Sequence, residues 1–261
     1  MQNYDTYPSP LDEKDWIAES IYLMRRKRDG EIDLPKELDL RKDLQPIRSQ
    51  GGQGTCSAQT ASCMKEWQEK KNINLNEYFS PQFIYNLREN YPNSGMYGRN
   101  TMQILQKIGC CREIHYPYET DKDKNTVSDK AKEYASNYKI KSYAQVKTID
   151  GLKMALYKNG PCYISFPTYN NTTTFWKPEN NSQKMNGGHA VTVVGYNKEG
   201  FIIRNSWGMK WNNNGYTIYP YTQFGSHWEI WTTIDDESNK DVPNRRIGTL
   251  YKFYTCCKEN I

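Results

Sequence analysis

Histidine is nearly absent from this 261-residue chain, which has three, at positions 115, 189 and 227. Chemistry that needs an imidazole therefore has only three places to find one. Long apolar runs are missing as well. None approaches the roughly 18 residues that a membrane span requires, and the opening MQNYDTYPSPLDEKDW lacks the basic-then-apolar layout of a secretory leader. Charge of one sign is not concentrated either. The net charge of +5 is dispersed, with only Arg25-Arg26-Lys27-Arg28 forming a run, which is expected to be a solvated helix face. No nucleic-acid or membrane partner is expected on that basis. The seven cysteines form an odd set without regular spacing, and two pairs, Cys110-Cys111 and Cys256-Cys257, are adjacent. That pattern does not suggest a disulfide framework, and no His–Cys spacing suggests zinc. A reducing setting, intracellular or virion-associated, is the expectation. The triplets at Asn170, Asn171 and Asn180 that match a glycosylation acceptor are chance products of an Asn-rich chain. There is no internal repeat or low-complexity tract.

What is present points to a folded protein. Aromatic residues make up 13% of the chain and 21 are tyrosines, unlike a disordered sequence, and the length suits one large or two modest domains. Residues 11–28 place Ile17, Ile21 and Met24 at helical spacing with acids early and bases late, which predicts an N-terminal helix ended by Gly30 and Leu34-Pro35. Residues 1–33 thus read as a separate segment. A helix is expected from Cys56 to about Lys71, with Thr55 as N-cap and Thr60, Cys63, Met64 and Trp67 on one face. Another runs from Ser80-Pro81 to about Asn90, and a third over NTMQILQKIG, closed by Gly109. YETDKDKNTVSDK reads as a surface loop. After about residue 142 the texture changes to short apolar runs broken by Asn and Gly, which reads as antiparallel sheet. HAVTVVGY and FIIRNSW, joined by Asn197-Lys-Glu-Gly200, form an expected hairpin that brings His189 and Asn205 to one end of a ladder. The expected organisation is 34–143 as a helical unit, 144–235 as a sheet-rich unit, and 236–261 as a tail.

QGGQGTCSAQTA, residues 50–61, puts three glycines just before a lone cysteine at a helix start. A thiol is a weak nucleophile at its ordinary pKa, but a helix N-terminus and a neighbouring imidazolium both favour the thiolate. The glycines let the backbone approach a substrate and leave N–H groups free to face a developing oxyanion, to which Gln50 would add a side-chain amide. His189, in NGGHAVTVVGY, follows Cys56 by 133 residues, within the spacing of papain-type proteases. Asn205, sixteen residues later, would orient the imidazole, as the third group of such a site must.

SQGGQGTCSAQTA, NGGHAVTVVGY and RNSWGMKWNNNGYTIYPY, in this order, resemble the three active-site blocks of the papain/cathepsin family of cysteine proteases. LPKELDLRKDLQPIRSQG resembles the family's mature N-terminus, SPQFIYNLREN its second helix, and KIGCCREIHYPYET the stretch leading to its Tyr-Pro-Tyr. The likeness covers residues 34–235. The glycine-flanked histidine and short loops are closer to bacterial and large-DNA-virus members than to secreted ones. The resemblance implies an α+β fold with a helical left lobe, an antiparallel β-barrel-like right lobe, and an active-site cleft between them. It implies peptide-bond hydrolysis, with peptides or proteins as partners and no cofactor or metal. Carried over, Cys56 is the nucleophile, His189 the general base and acid, and Asn205 the orienting residue. Gln50 and the Cys56 N–H are the oxyanion hole. Trp207 would shield the Asn–His contact and Trp211 would line the leaving-group side. Gly95, Met96, Tyr97 and Gly188 would pair with substrate.

Two departures stand out. The family's aromatic residue after the nucleophile is Ser57 here, and its cysteine three residues before the nucleophile is Gln53, so the adjoining disulfide cannot form. Residues 1–33 are short for the family's propeptide, and a short propeptide, a regulatory lid acting as an intramolecular inhibitor, and an unremoved extension all stay open. Cys63, Cys110, Cys111 and Cys162 read as buried structural thiols, Cys63 and Cys162 on apolar faces, and His115 and His227 as satisfied polar residues, with His227 near the cleft wall. Two rival readings are a catalytically silent scaffold that binds peptides, against which the intact Cys, His, Asn and Gln argue, and an acyl-transferring relative, which the NSWG block disfavours.

Overall fold

The computed structural model of the chain describes residues 5–30, 32–118 and 123–236. The tail from 237 on, with Cys256 and Cys257, lies outside the described residues, as do the side chains of the Arg25–Arg28 run. In chain order the elements are β1 (Thr6–Tyr7), α1 (Ala18–Asp29), β2 (Leu38–Asp39), α2 (Cys56–Ile73), α3 (Pro81–Tyr85), β3 (Met96–Tyr97), α4 (Gly98–Lys107), α5 (Asp129–Ser136), β4 (Ile140–Gln145), α6 (Ile149–Asn159), β5 (Cys162–Thr168), β6 (Gly187–Tyr196), β7 (Gly200–Arg204), β8 (Tyr216–Pro220) and β9 (Glu229–Asp235). No helix among the described residues is long and apolar enough to cross a membrane.

Two apolar cores lie on either side of a seam. One is helical, with Phe79, Phe83, Ile84, Ile104 and Leu105 packed around Ala58 and Ala61 of α2. The other fills the sheet, from Leu152 and Leu156 of α6 through Ile164, Val191, Val193 and Ile203. The seam holds a small cluster: Cys56, Met64, Met102, Tyr163, Ala190 and Trp231. Along the sheet the strands run β4-β9-β5-β6-β7-β8, every pair antiparallel. Short β2 joins β6 at Gly195–Tyr196, past the last β5 partner at Val193. Among the described residues β4 and β8 are edges, so the antiparallel sheet of this lobe is not closed, in keeping with the expected α+β fold. Bulky β-branched and aromatic residues at consecutive buried positions of β5 and β6 explain why both strands lie centrally, covered on both faces.

Helix α2 is buried nearly all round, not on one face. Its small residues let it sit in the seam, and its polar ones are paired within the fold. Lys65, wholly buried, meets Glu69 at 2.7 Å and Asp235 of β9. Removing one member of such a buried set strands the others, so Lys65→Ala is expected to destabilise the protein by about 3–5 kcal/mol. Chemical unfolding measures this, and a loss within about 0.5 kcal/mol, as for an ordinary surface change, would refute the role assigned to it.

Several local expectations change. The N-terminal helix starts at Ala18, not near residue 11, because Ile17 bridges Gln145 and Arg99 holds Asp15 and the Pro10 carbonyl in a non-helical path. Its inward face is Ala18, Ile21 and Tyr22, packed on the sheet core, while Met24 is exposed. Residues 17–22 are therefore docked on the sheet lobe and not a detached segment. Glu19 strengthens the docking by accepting from the Lys147 and Thr148 N–H groups, each at 2.8 Å. α3 ends at Tyr85, although Ser80 caps it as expected by accepting from the Phe83 N–H. α4 closes at Gly109, whose φ of +98° suits glycine. The sheet half also contains α6, which the alternating texture concealed. The hairpin of β6 and β7 forms as expected, with Asn197 Oδ1 accepting from the Glu199 and Gly200 N–H groups in the turn.

Candidate active site

Cys56 opens α2 at the seam. Thr55 stands at the N-cap position, but its hydroxyl bonds Tyr118 at 2.8 Å and does not cap the helix. The first amides of α2 are thus left to serve the thiol. Backbone N–H groups of Ala190, Asp5 and Ser57 favour a thiolate at Cys56, while the nearby Asp5 carboxylate opposes it.

His189 lies on β6 one residue before Ala190, paired with Phe166 of β5. Its Nε2 is 2.8 Å from Asn205 Oδ1, which also accepts from the Ser206 N–H at 2.7 Å. An oxygen that only accepts requires the hydrogen on Nε2, leaving Nδ1 as the basic nitrogen. Nδ1 is buried and has no hydrogen-bond partner among the described residues. Trp207 stacks on the imidazole at 4.4 Å and Phe175 meets its edge at 5.3 Å. The ring is thus held on two sides by aromatic faces, one of which, Phe175, was not foreseen. It lies on a loop before the Asn-rich stretch, where no spacing rule points to it. Trp211 packs at right angles on Trp207 and donates to the Asn171 carbonyl.

Gln50 is locked in place. Its Nε2 donates to the Gln53 carbonyl at 3.0 Å and its Oε1 accepts from the Ser206 hydroxyl at 2.7 Å. Its backbone is tied to both lobes through Ser206 and Tyr118. Among the described residues, one of the two amide N–H bonds of Nε2 remains uncommitted. Ser206 and Tyr118 are positioning residues that the motifs did not reveal. Gln53 and Gln82 form a reciprocal amide pair, each donating at 3.1 Å.

An N-terminal strand of the chain itself lies on Met96, Tyr97 and Gly188, three of the residues expected to pair with substrate. β1 runs parallel to β3, with Thr6 beside Met96 and Tyr7 beside Tyr97. The Met96 N–H donates to the Asp5 carbonyl at 3.0 Å, and Asp5 bridges Gly188. The fit needs glycine at two points. A Cβ at Gly95, where φ is +79°, would fall 1.8 Å from the Asp5 carbonyl oxygen, and one at Gly188 would fall 2.2 Å from that of Thr6. Cys56 and His189 are consequently both fully buried. Burial pushes the Cys56 thiol up to about 11 and the His189 imidazole down to about 4. The thiolate is therefore not the state of this covered site: desolvation outweighs the backbone N–H groups that favour it.

The other candidates are structural. His115 stacks on Tyr134. His227 accepts from Gly225 and pairs with Tyr219, while its neighbour Trp228 closes over Gly188 at the cleft wall. Cys110, Cys111 and Cys162 are free and buried. Cys63 faces a polar pocket with Arg48, Glu66, Thr192 and Arg204 and not an apolar face, a correction that follows from α2 being enclosed on every side. Among the described residues no cluster of three His, Cys, Asp or Glu is placed to hold a metal.

Comparisons with known proteins bear on the fold and the family. Residues 34–227 match the profile of the papain family cysteine proteases. The chain is 31% identical over 247 residues to an uncharacterised peptidase C1-like protein of Acanthamoeba polyphaga mimivirus, covering 83% of this chain and 79% of that one. It is 30% identical to mouse cathepsin K, covering 71% of this chain and 59% of that longer protein. Among solved structures, xylellain, a cysteine protease from Xylella fastidiosa, superposes with a TM-score of 0.71 at 26% identity, over 89% of this chain and 96% of that one. The fold with its two cores and open sheet, the Cys, His and Asn blocks at one seam, and a family match across most of the length agree: this chain belongs to the papain family of cysteine proteases.

Proposed function

We propose that the chain is a cysteine endopeptidase in which Cys56, His189, Asn205 and Gln50 carry the reaction and the N-terminal segment holds it in check. The observation that carries this reading is the imidazole of His189, clamped by aromatic faces, with its Nε2–H on Asn205 and its Nδ1 left bare. Such a ring is a base kept in one tautomer for a partner on its open side, and Cys56 is the thiol at that seam.

In the reaction, Nδ1 of His189 takes the thiol proton and Cys56 Sγ attacks the scissile carbonyl carbon. The carbonyl oxygen becomes an oxyanion, met by the Cys56 N–H and the free amide N–H of Gln50. Collapse breaks the C–N bond, and the imidazolium gives its proton to the departing amine, leaving an acyl group on sulfur. Water, deprotonated by the same nitrogen, attacks the thioester and restores the thiol. Gln50→Ala is expected to lower kcat by about 10²–10³ with little change in KM, because the oxyanion exists only beyond the ground state. Turnover within a factor of about three of wild type would remove Gln50 from the mechanism.

The covering segment supports the regulatory part of the reading. Asp5–Tyr7 occupies the strip on which an extended peptide would pair, as β-augmentation requires, so a peptide and the segment exclude each other.

A further inference from the structure

Thr6 is buried in the cleft, 1% exposed, and its hydroxyl is met by two others. Its Oγ1 lies 2.8 Å from Ser57 Oγ and 3.1 Å from the Tyr163 hydroxyl, which are 3.0 Å from each other, and it donates to the Met96 carbonyl at 2.9 Å. Ser57 and Tyr163 are wholly buried. The protons of this group can be counted. The Met96 carbonyl only accepts, so it takes the Thr6 proton. The two remaining protons, on Ser57 and Tyr163, serve three oxygen–oxygen contacts, and at least one must point at Thr6 Oγ1. The pocket thus offers one O–H donor and one carbonyl acceptor to an incoming side chain, the complement of a hydroxyl.

We infer that Ser57 Oγ, Tyr163 OH and the Met96 carbonyl form a hydroxyl-reading pocket that selects a threonine or serine side chain in the peptide substrate. This rests on the reading of the chain as a peptidase whose cleft the N-terminal segment vacates. Three observations carry it. Thr6 sits on a strand paired with β3, so its side chain enters the pocket as a side chain of any extended peptide on the same strip would. Ser57 directly follows the candidate nucleophile, so the pocket adjoins the thiol. Tyr163 reaches the same point from β5, wholly buried and 3.0 Å from Ser57 Oγ, so both lobes contribute a hydroxyl to the pocket. A site built to hydrogen-bond a hydroxyl discriminates strongly against the methyl isostere, because a buried O–H is then left facing carbon.

The test uses the full chain. Thr6→Val keeps the shape of the segment's side chain and removes its oxygen, so a peptidyl epoxide is expected to label Cys56 several-fold faster than in wild type, while Thr6→Ser stays near wild type. The Thr6→Val chain is then given peptides carrying Thr, Ser, Val or Ala at each position in turn. At one position kcat/KM is expected to favour Thr and Ser over Val by about tenfold or more. Adding Ser57→Ala or Tyr163→Phe is expected to bring that Thr/Val ratio toward one. The ratio is internal to one chain, so a variant that folds poorly lowers both rates without moving it. Hydrolysis with a Thr/Val ratio near one at every position would overturn the pocket and leave the peptidase reading standing, and a ratio that survives both added substitutions would overturn its assignment to these residues. A chain that neither hydrolyses any peptide nor is labelled at Cys56 would overturn both readings.

Discussion

A chain starting at Leu11 is expected to hydrolyse peptides about 10²-fold faster than the full chain. The figure follows from what holds the segment down. Asp5 accepts from the Met96 N–H and the Ser94 hydroxyl, Thr6 joins Ser57, Tyr163 and Met96, and Arg99 holds Ser9 and the Pro10 carbonyl. Hydrogen bonds of about 1 kcal/mol each, less the entropy of ordering a short strand, leave roughly 3 kcal/mol for a peptide to overcome. Cutting at residue 10 matters. A cut at residue 33 would also remove Ala18 and Glu19, which pack on the sheet core and cap the start of α6, so loss of stability would obscure the gain. Equal turnover of the chain starting at Leu11 and the full chain would show that the segment is no inhibitor.

The same comparison has a pH signature. In the full chain the thiol sits at about 11 and the imidazole at about 4, so between those values the pair is neutral. Alkylation of Cys56 by iodoacetamide, followed by peptide mapping, is expected to climb with pH toward 11 in the full chain. In the truncated chain, where water reaches the thiol, it levels off at lower pH. The sign for the segment's hold follows by linkage. His189 is depressed when covered, so the uncovered form binds a proton that the covered form cannot as pH falls from 6.5 through about 4. The His189 contribution to the hold is therefore complete above pH 6.5 and is lost on acidification. The activity ratio of truncated to full chain is expected to shrink across that window, and a constant ratio would contradict the coupling.

Replacing Cys56 by alanine in the truncated chain is expected to cost about 10⁴-fold or more in kcat, with peptide binding retained. His189→Ala is expected to cost a similar amount, and the double variant no more than either single, because a nucleophile and its base act as one unit. Intact mass after incubation with an epoxide probe gives a second reading: one adduct at position 56 in the parent and none there in Cys56→Ala. Full turnover by Cys56→Ala would sink the peptidase mechanism outright. Incorporation of added amine into product in place of water would redirect it to acyl transfer.

Much of the site was legible because its chemistry is local. A cysteine after glycines at a helix start, a histidine in a glycine-flanked strand and an asparagine across one hairpin are short-range patterns, and only three histidines competed for the role. Phe175, Ser206 and Tyr118 were not legible, because each reaches the site from a separate loop through a contact that no periodicity encodes. The helical face assigned to α2 misled for a related reason. An enclosed helix must satisfy polar residues on every side, and Lys65 and Glu66 do so through partners distant in sequence.

The residue types and their order along the chain thus determined the helix that presents Cys56, the hairpin that joins His189 to Asn205, and the resemblance that links them. Only the tertiary structure decided the state of the site. The strand Thr6–Tyr7 is too short to announce itself, and its parallel pairing with Met96–Tyr97 is set by open glycine backbone far along the chain, not by any preference of its own. By filling the cleft it removes water from the thiol and the imidazole, and desolvation then reverses the protonation that helix and partner would favour. That reversal depends on what covers a group, and covering is a property of the folded molecule alone.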